Sequence, residues 1–195
     1  MKRQRRKTSV KPPRRSLKLL WHAWYEAKAP LFRFCVKFCA LLIFFYGLSF
    51  LPICQRILAA SLTENARVAS AILNQFGENT KVTNSTIWSG KYAITVLPAC
   101  SGVEFLVFFC AMVIAFPSRI RGKVFGIVVG VLLLLALNQI RITSLFYVGA
   151  HFPKAFDITH EDLWSMGLIV AEIILCVVWI AWARENDNPG RDAAT

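Results

Sequence analysis

Four stretches of this chain are long and apolar enough to face lipid: residues 31–52, 101–117, 124–148 and 163–182. A bilayer core needs about 20 consecutive apolar residues in a helix. Such segments must satisfy every backbone polar group internally, which leaves helices as the only reading for runs of this length. The expected fold is therefore an all-α polytopic membrane protein with about four transmembrane helices. Composition agrees, since 56% of residues are hydrophobic and 17% charged, against roughly 45–50% and 25% in soluble domains.

Charge placement gives the expected orientation. The net charge is +12, and twelve of the 23 Lys and Arg residues lie within the first 37 positions, with Glu26 the only acid there. Residues 1–30 read as a basic cytoplasmic segment rather than a nucleic-acid arm. The first run is too long for a secretory signal peptide, and no small-residue cleavage site follows it. The link 118–123 carries Arg119, Arg121 and Lys123 without an acid, whereas segments 53–102 and 149–162 are balanced. By the positive-inside rule both termini fall inside, with 53–100 on the outer side and 183–195 a cytoplasmic tail.

Segment 53–100 divides in two. Leu58, Leu62, Ala69, Ile72 and Phe76 recur at helical spacing opposite Arg67, Ser70 and Asn74, predicting an amphipathic helix over 56–76 that covers the spans. Ser61 and Glu64 fit a capping box, so the regular helix is expected to begin there. Residues 81–97 are rich in strand formers around Ser89-Gly90, predicting a small β-hairpin packed on the bundle.

Six cysteines are spread along the chain, at 35, 39, 54, 100, 110 and 176. That spread fits neither a disulfide framework nor a zinc site. Cys35, Cys39, Cys110 and Cys176 read as small buried apolar residues. Cys100 differs, because it lies in Leu97-Pro98-Ala99-Cys100-Ser101-Gly102 just ahead of the second span. The positive end of a helix dipole there favours thiolate. The resemblance of Leu-Pro-Ala-Cys to a lipoprotein box fails on position, since such a box ends an N-terminal signal.

Counting along the spans brings other groups to the same layer. From Cys100 to Pro117 is about 26 Å of helix, and Val124 to Arg141 climbs about 26 Å back. His160 precedes the fourth span by three residues. A thiol, a guanidinium and an imidazole thus converge. Histidine suits protonation of a leaving amine and activation of a resolving nucleophile. Arginine suits an oxyanion or a substrate carbonyl. Asn138, one turn below Arg141, is placed to orient it. Glu104, four residues after Cys100, is placed to pair with Arg141, and Ser101 adjoins the thiol. An intramembrane arginine defaults to a functional reading over snorkelling. His151 competes with His160, His22 is incidental, and Glu172 in the fourth span has no assigned role.

Pro98-Ala99-Cys100-Ser101-Gly102, Asn138-Gln139-Ile140-Arg141-Ile142 and the later His160 together resemble the exosortase/archaeosortase family, over roughly residues 95–182. The stretch 157–167 (DITHEDLWSMG) most resembles exosortase type H, which is paired with short C-terminal signals of the Ile-Pro-Thr-Leu kind. The resemblance implies a membrane cysteine peptidase or transpeptidase. Its partners would be exported proteins with a tail made of a motif, a transmembrane helix and a basic end. It further implies Cys100 as nucleophile, Arg141 as electrostatic partner and His160 as acid/base.

No cofactor or nucleic acid is expected. A ligand cluster of His160, Asp157, Glu161 and Asp162 is set aside, since cysteine catalysis requires no metal. Two rivals remain: a scaffold in which Arg141 and Glu104 form a structural ion pair, and a thiol-redox protein using Cys54 and Cys100. A transporter is disfavoured, because the four spans show no internal repeat.

Overall fold

A computed structural model describes residues 17–90, 92–156 and 158–186. Most of the basic segment and residues 187–195 lie outside the described residues, so the readings placed there have no structural counterpart. Among the described residues are five α-helices: α1 (Leu17–Ser49), α2 (Pro52–Gln75), α3 (Val103–Ala115), α4 (Ile120–His151) and α5 (Trp164–Asn186). Three of them, α1 from Lys28 onward, α4 and α5, have the length and apolarity to cross a membrane.

The second expected span, 101–117, forms a helix shorter than its apolar run. Gly102, with φ +76°, precedes α3, and Phe116 leaves it in extended conformation ahead of Pro117. Thirteen residues give about 20 Å of helix. Side-chain contacts nevertheless set α3 antiparallel to its neighbours. Phe38 meets Phe108 edge-on at 5.1 Å and Phe34 meets Phe116 at 6.3 Å, pairing α1 with α3 in opposite directions. Phe116 also meets Trp179, whose Nε1 donates to the Gly122 carbonyl at 3.3 Å, joining α3, α4 and α5. Lys123 donates to the Ile114 carbonyl at 2.6 Å, placing a cation on the last turn of α3. The result is an up-down bundle of α1, α3, α4 and α5.

Tight helix contact depends on Gly130. A Cβ there would lie 2.1 Å from Phe109 Cε1, a fully buried ring. Gly130→Ala is expected to destabilise the protein by about 1–3 kcal/mol through overpacking. Gly47, with open space around it, serves as the control, and thermal unfolding of the two alanine variants in one detergent compares them.

The cap, formed by α2 and the small sheet that follows it, differs from its sequence expectation in three ways. First, α2 begins at Pro52, not at Ser61, because proline is favoured in a helix's first turn. Ser61 lies mid-helix and its hydroxyl donates to the Leu58 carbonyl at 2.7 Å, while Glu64 pairs with Arg67 at 2.6 Å on the exposed face. Second, the buried stripe is rotated to Leu62, Ala66, Ala69, Ser70 and Leu73, and Phe76 is exposed. Ser70 tolerates burial because its hydroxyl bonds that of Thr80 at 2.7 Å. Asn74 receives the Thr80 amide at 2.7 Å, which ties the end of α2 to the sheet.

Third, the hairpin is a three-stranded antiparallel meander of β1 (Lys81–Thr83), β2 (Thr86–Ser89) and β3 (Tyr92–Thr95). Its first arm folds back at Asn84-Ser85, where Asn84 adopts φ +56°, a conformation asparagine tolerates in tight turns. The Gly90 turn falls where expected, with Ser89 opposite Tyr92.

Two apolar cores result. One lies within the bundle and contains Phe109, Met112, Leu134 and Trp179. The other joins the cap to the end of α4, through Leu62, Ala66, Ile87, Val96, Ile142 and Phe146. Cys100 belongs to this second core.

Candidate active site

Cys100 closes a single 3₁₀ turn, Pro98–Cys100, that leads into α3. Its amide donates to the Leu97 carbonyl at 2.8 Å, and that of Ser101 to the Pro98 carbonyl at 3.0 Å. The left-handed Gly102 then breaks the helical path. A side chain there would also press on Asn138, whose Cγ lies 3.0 Å from an ideal Cβ. Cys100 is 8% exposed.

His160 sits in a π-helical turn, Ile158–Leu163, at the entrance to α5. Such turns recur at functional sites. Its Nε2 lies 3.4 Å from Cys100 Sγ across 60 residues of chain. Depending on tautomer, the imidazole accepts the thiol proton or donates to the thiolate. Phe156 stacks on the ring with centroids 5.7 Å apart and planes 5° apart, holding it edge-on to the sulfur. His151 points elsewhere: it stacks on Tyr147 and its Nε2 lies 3.8 Å from Glu78.

Arg141 and Asn138 project from one face of α4, and both are nearly fully buried, at 4% and 2% exposed. The Asn138 amide faces the turn instead of Arg141: Nδ2 donates to the carbonyls of Cys100 at 3.3 Å and Ser101 at 3.2 Å. Arg141 lies one turn further along the same face. Its Nε has no hydrogen-bond partner among the described residues. A buried guanidinium donor without a partner is costly.

Glu104 does not join this cluster. It is exposed, and no ion pair among the described residues links it to Arg141. The four-residue spacing from Cys100 presupposed continuous helix, but residues 100–102 are not α-helical, so the register is lost. Glu104 instead lines a cavity of about 720 Å³ between α1 and α3, together with Tyr46, Ser49, Pro98 and Ser101. Ser101 acts through its backbone carbonyl and through Oγ, which receives the Val103 amide at 3.2 Å.

Two contributors escaped the sequence reading. Asn65 on α2 donates to the Ser101 carbonyl at 3.3 Å, and Gln139 donates to Asn65 Oδ1 at 2.7 Å. The only sequence signal was an asparagine beside the small-residue stripe of α2. All six cysteines are free, Cys54 included. Asp157 and the side chains of Glu161 and Asp162 lie outside the described residues. Glu172 is buried in α5 with Oε1 unpartnered.

A bundle with three helices of membrane-spanning length, a small cap and a cysteine–histidine contact between them defines a polytopic membrane protein. The chain belongs to the transmembrane exosortase family, whose EpsH-type family model matches residues 24–180. Comparison with curated proteins and with solved structures gave no match. The matched segment takes in α2 to α4, the sheet, most of α1 and α5, and every residue of the cluster.

Proposed function

We propose that this exosortase is a membrane-embedded cysteine peptidase or transpeptidase. It would remove C-terminal sorting tails from exported proteins at the periplasmic face of a bacterial inner membrane. The contact between Cys100 Sγ and His160 Nε2 at 3.4 Å carries the reading. A thiol within reach of an imidazole is the minimal arrangement for nucleophilic acyl transfer.

In the first step the Cys100 thiolate attacks the carbonyl at the junction between the exported domain and its tail. The tetrahedral oxyanion lies toward the Arg141 guanidinium. As the C–N bond breaks, imidazolium of His160 protonates the leaving amine, and the tail departs. A thioester remains on Cys100. His160 then takes a proton from an amine or water, which attacks the thioester and restores the thiol.

The tail's apolar helix lies beside the bundle, so binding energy from the membrane segment is available to place the junction at the thiol. The basic N-terminal segment and the Arg119–Lys123 link stay cytoplasmic in this arrangement.

Co-expression with a tagged exported protein ending in an Ile-Pro-Thr-Leu-type tail tests the reading. Loss of the tail by intact mass is expected, with a hydroxylamine-sensitive adduct on the Cys100 peptide. Retention of the whole tail beside stably inserted protein would overturn it.

A further inference from the structure

The carbonyls at the end of the turn that carries Cys100 do not find their partners in the α3 ladder. In a continuing helix the carbonyls of Cys100 and Ser101 would accept amides four residues on, but the left-handed Gly102 interrupts that ladder, and the first bond of α3 runs from Leu106 to Gly102. Side chains from two other helices replace the missing donors. Asn138 of α4 donates to both carbonyls, and Asn65 of α2 donates to the Ser101 carbonyl from the cap side. The Asn65 amide can point only one way, because its Oδ1 accepts from Gln139.

We propose that Asn65 is a positioning residue: through the Ser101 carbonyl, and with its own orientation set by Gln139, it holds the Cys100 turn so that the thiol faces His160. This rests on the peptidase reading of Cys100.

Simple attachment of the cap does not require such a residue. Leu62, Ala66, Ala69 and Leu73 already bury the inner face of α2. The polar link also leaves Gln139 Oε1 buried without a partner. An apolar residue at 65 would pack the interface without that penalty. What the polar link adds is direction at the carbonyl next to the nucleophile.

The test uses full-length protein in nanodiscs with a synthetic tail peptide, measuring kcat and KM separately. Asn65→Asp keeps the size of the side chain and its bond from Gln139 but removes the donor to Ser101. Asn65→Leu removes both. Each is expected to lower kcat by about 10- to 100-fold with KM within about twofold, the scale of a small misplacement at a reacting group. Gln139→Leu should give a smaller loss, and Asn65→Leu/Gln139→Leu should be no worse than Asn65→Leu alone, since both act through one bond.

Wild-type kcat in Asn65→Asp, with any fall confined to melting temperature, would overturn the proposal and leave Asn65 a cap fastener. If Asn65→Leu does not fold, the isosteric Asn65→Asp decides. Cys100→Ser, run alongside, separates the two levels. An active Cys100→Ser sinks the peptidase reading and this inference with it, whereas an inactive Cys100→Ser beside an unimpaired Asn65→Asp sinks the inference alone.

Discussion

Replacing Cys100 by alanine is expected to abolish tail removal, by on the order of a thousandfold or more, while the protein still inserts and folds. The loss is large because the nucleophile of a covalent mechanism has no substitute, and its partners act only through it. The fold should survive because the change deletes one sulfur at the edge of the cap core and leaves the backbone bonds of the turn untouched. Those bonds run through the carbonyls of Cys100 and Ser101, not through the thiol. Cys100→Ser should be nearly as inactive, since a hydroxyl beside His160 is a far weaker nucleophile than a thiol. Gel shift and intact mass of a co-expressed tailed protein provide the readout, with membrane-fraction abundance as the control. Persistent cleavage in the alanine variant would remove Cys100 from the mechanism. By contrast, Cys54→Ala should process normally; equal damage at both cysteines would favour a redox role.

Arg141→Lys is expected to lower kcat by about 10²- to 10³-fold, the range for losing one oxyanion donor. The substitution keeps the positive charge, so it isolates what is particular to guanidinium. Arginine offers a planar fork of donors, and one of them, Nε, is buried and has no hydrogen-bond partner among the described residues. Lysine offers a point charge on a flexible stem and cannot reproduce that fork. Single-turnover measurement of thioester formation separates the two uses of the group. A fall in the acylation rate at saturating substrate places Arg141 at the developing oxyanion. A raised KM with acylation intact would assign it to the substrate motif. Activity within about threefold of wild type would rule out both.

The bundle was largely legible because its signals are strong. Long apolar runs and a skew of Lys and Arg toward one set of links have few structural solutions. Counting helical rise along two spans set Arg141 level with Cys100, while His160 was placed by its position three residues before the last span; the structure brings Cys100 and His160 into contact. What failed to show was local geometry that depends on a single backbone angle. Gly102 was quoted as part of a motif, yet its left-handed conformation is what puts Glu104 out of register with Cys100. Asn84 likewise turned one expected strand into two.

Ser70 illustrates a different failure. Periodicity sorts residues by polarity, and a buried hydroxyl satisfied by Thr80 reads as surface. Asn65 was invisible for the same reason, and Gln139 was quoted within a motif without a role. Their meaning lies in a contact across 74 residues, which no spacing rule anticipates.

The brevity of α3 bears on the lipid around it. Its thirteen residues reach about 20 Å, whereas the hydrocarbon layer it belongs to is about 30 Å thick. Hydrophobic mismatch of that size is met by local thinning of the bilayer or by a helix end lying below the headgroups. Where the shortfall falls at the start of α3, the turn there lies below the headgroups. A freely diffusing soluble peptide would have to descend into the membrane surface to meet it, while a segment already threaded through the bilayer arrives at that depth by default. Under the proposed function, selection for membrane-anchored chains would then be a matter of immersion, set by the length of one helix before any residue of a recognition motif is read.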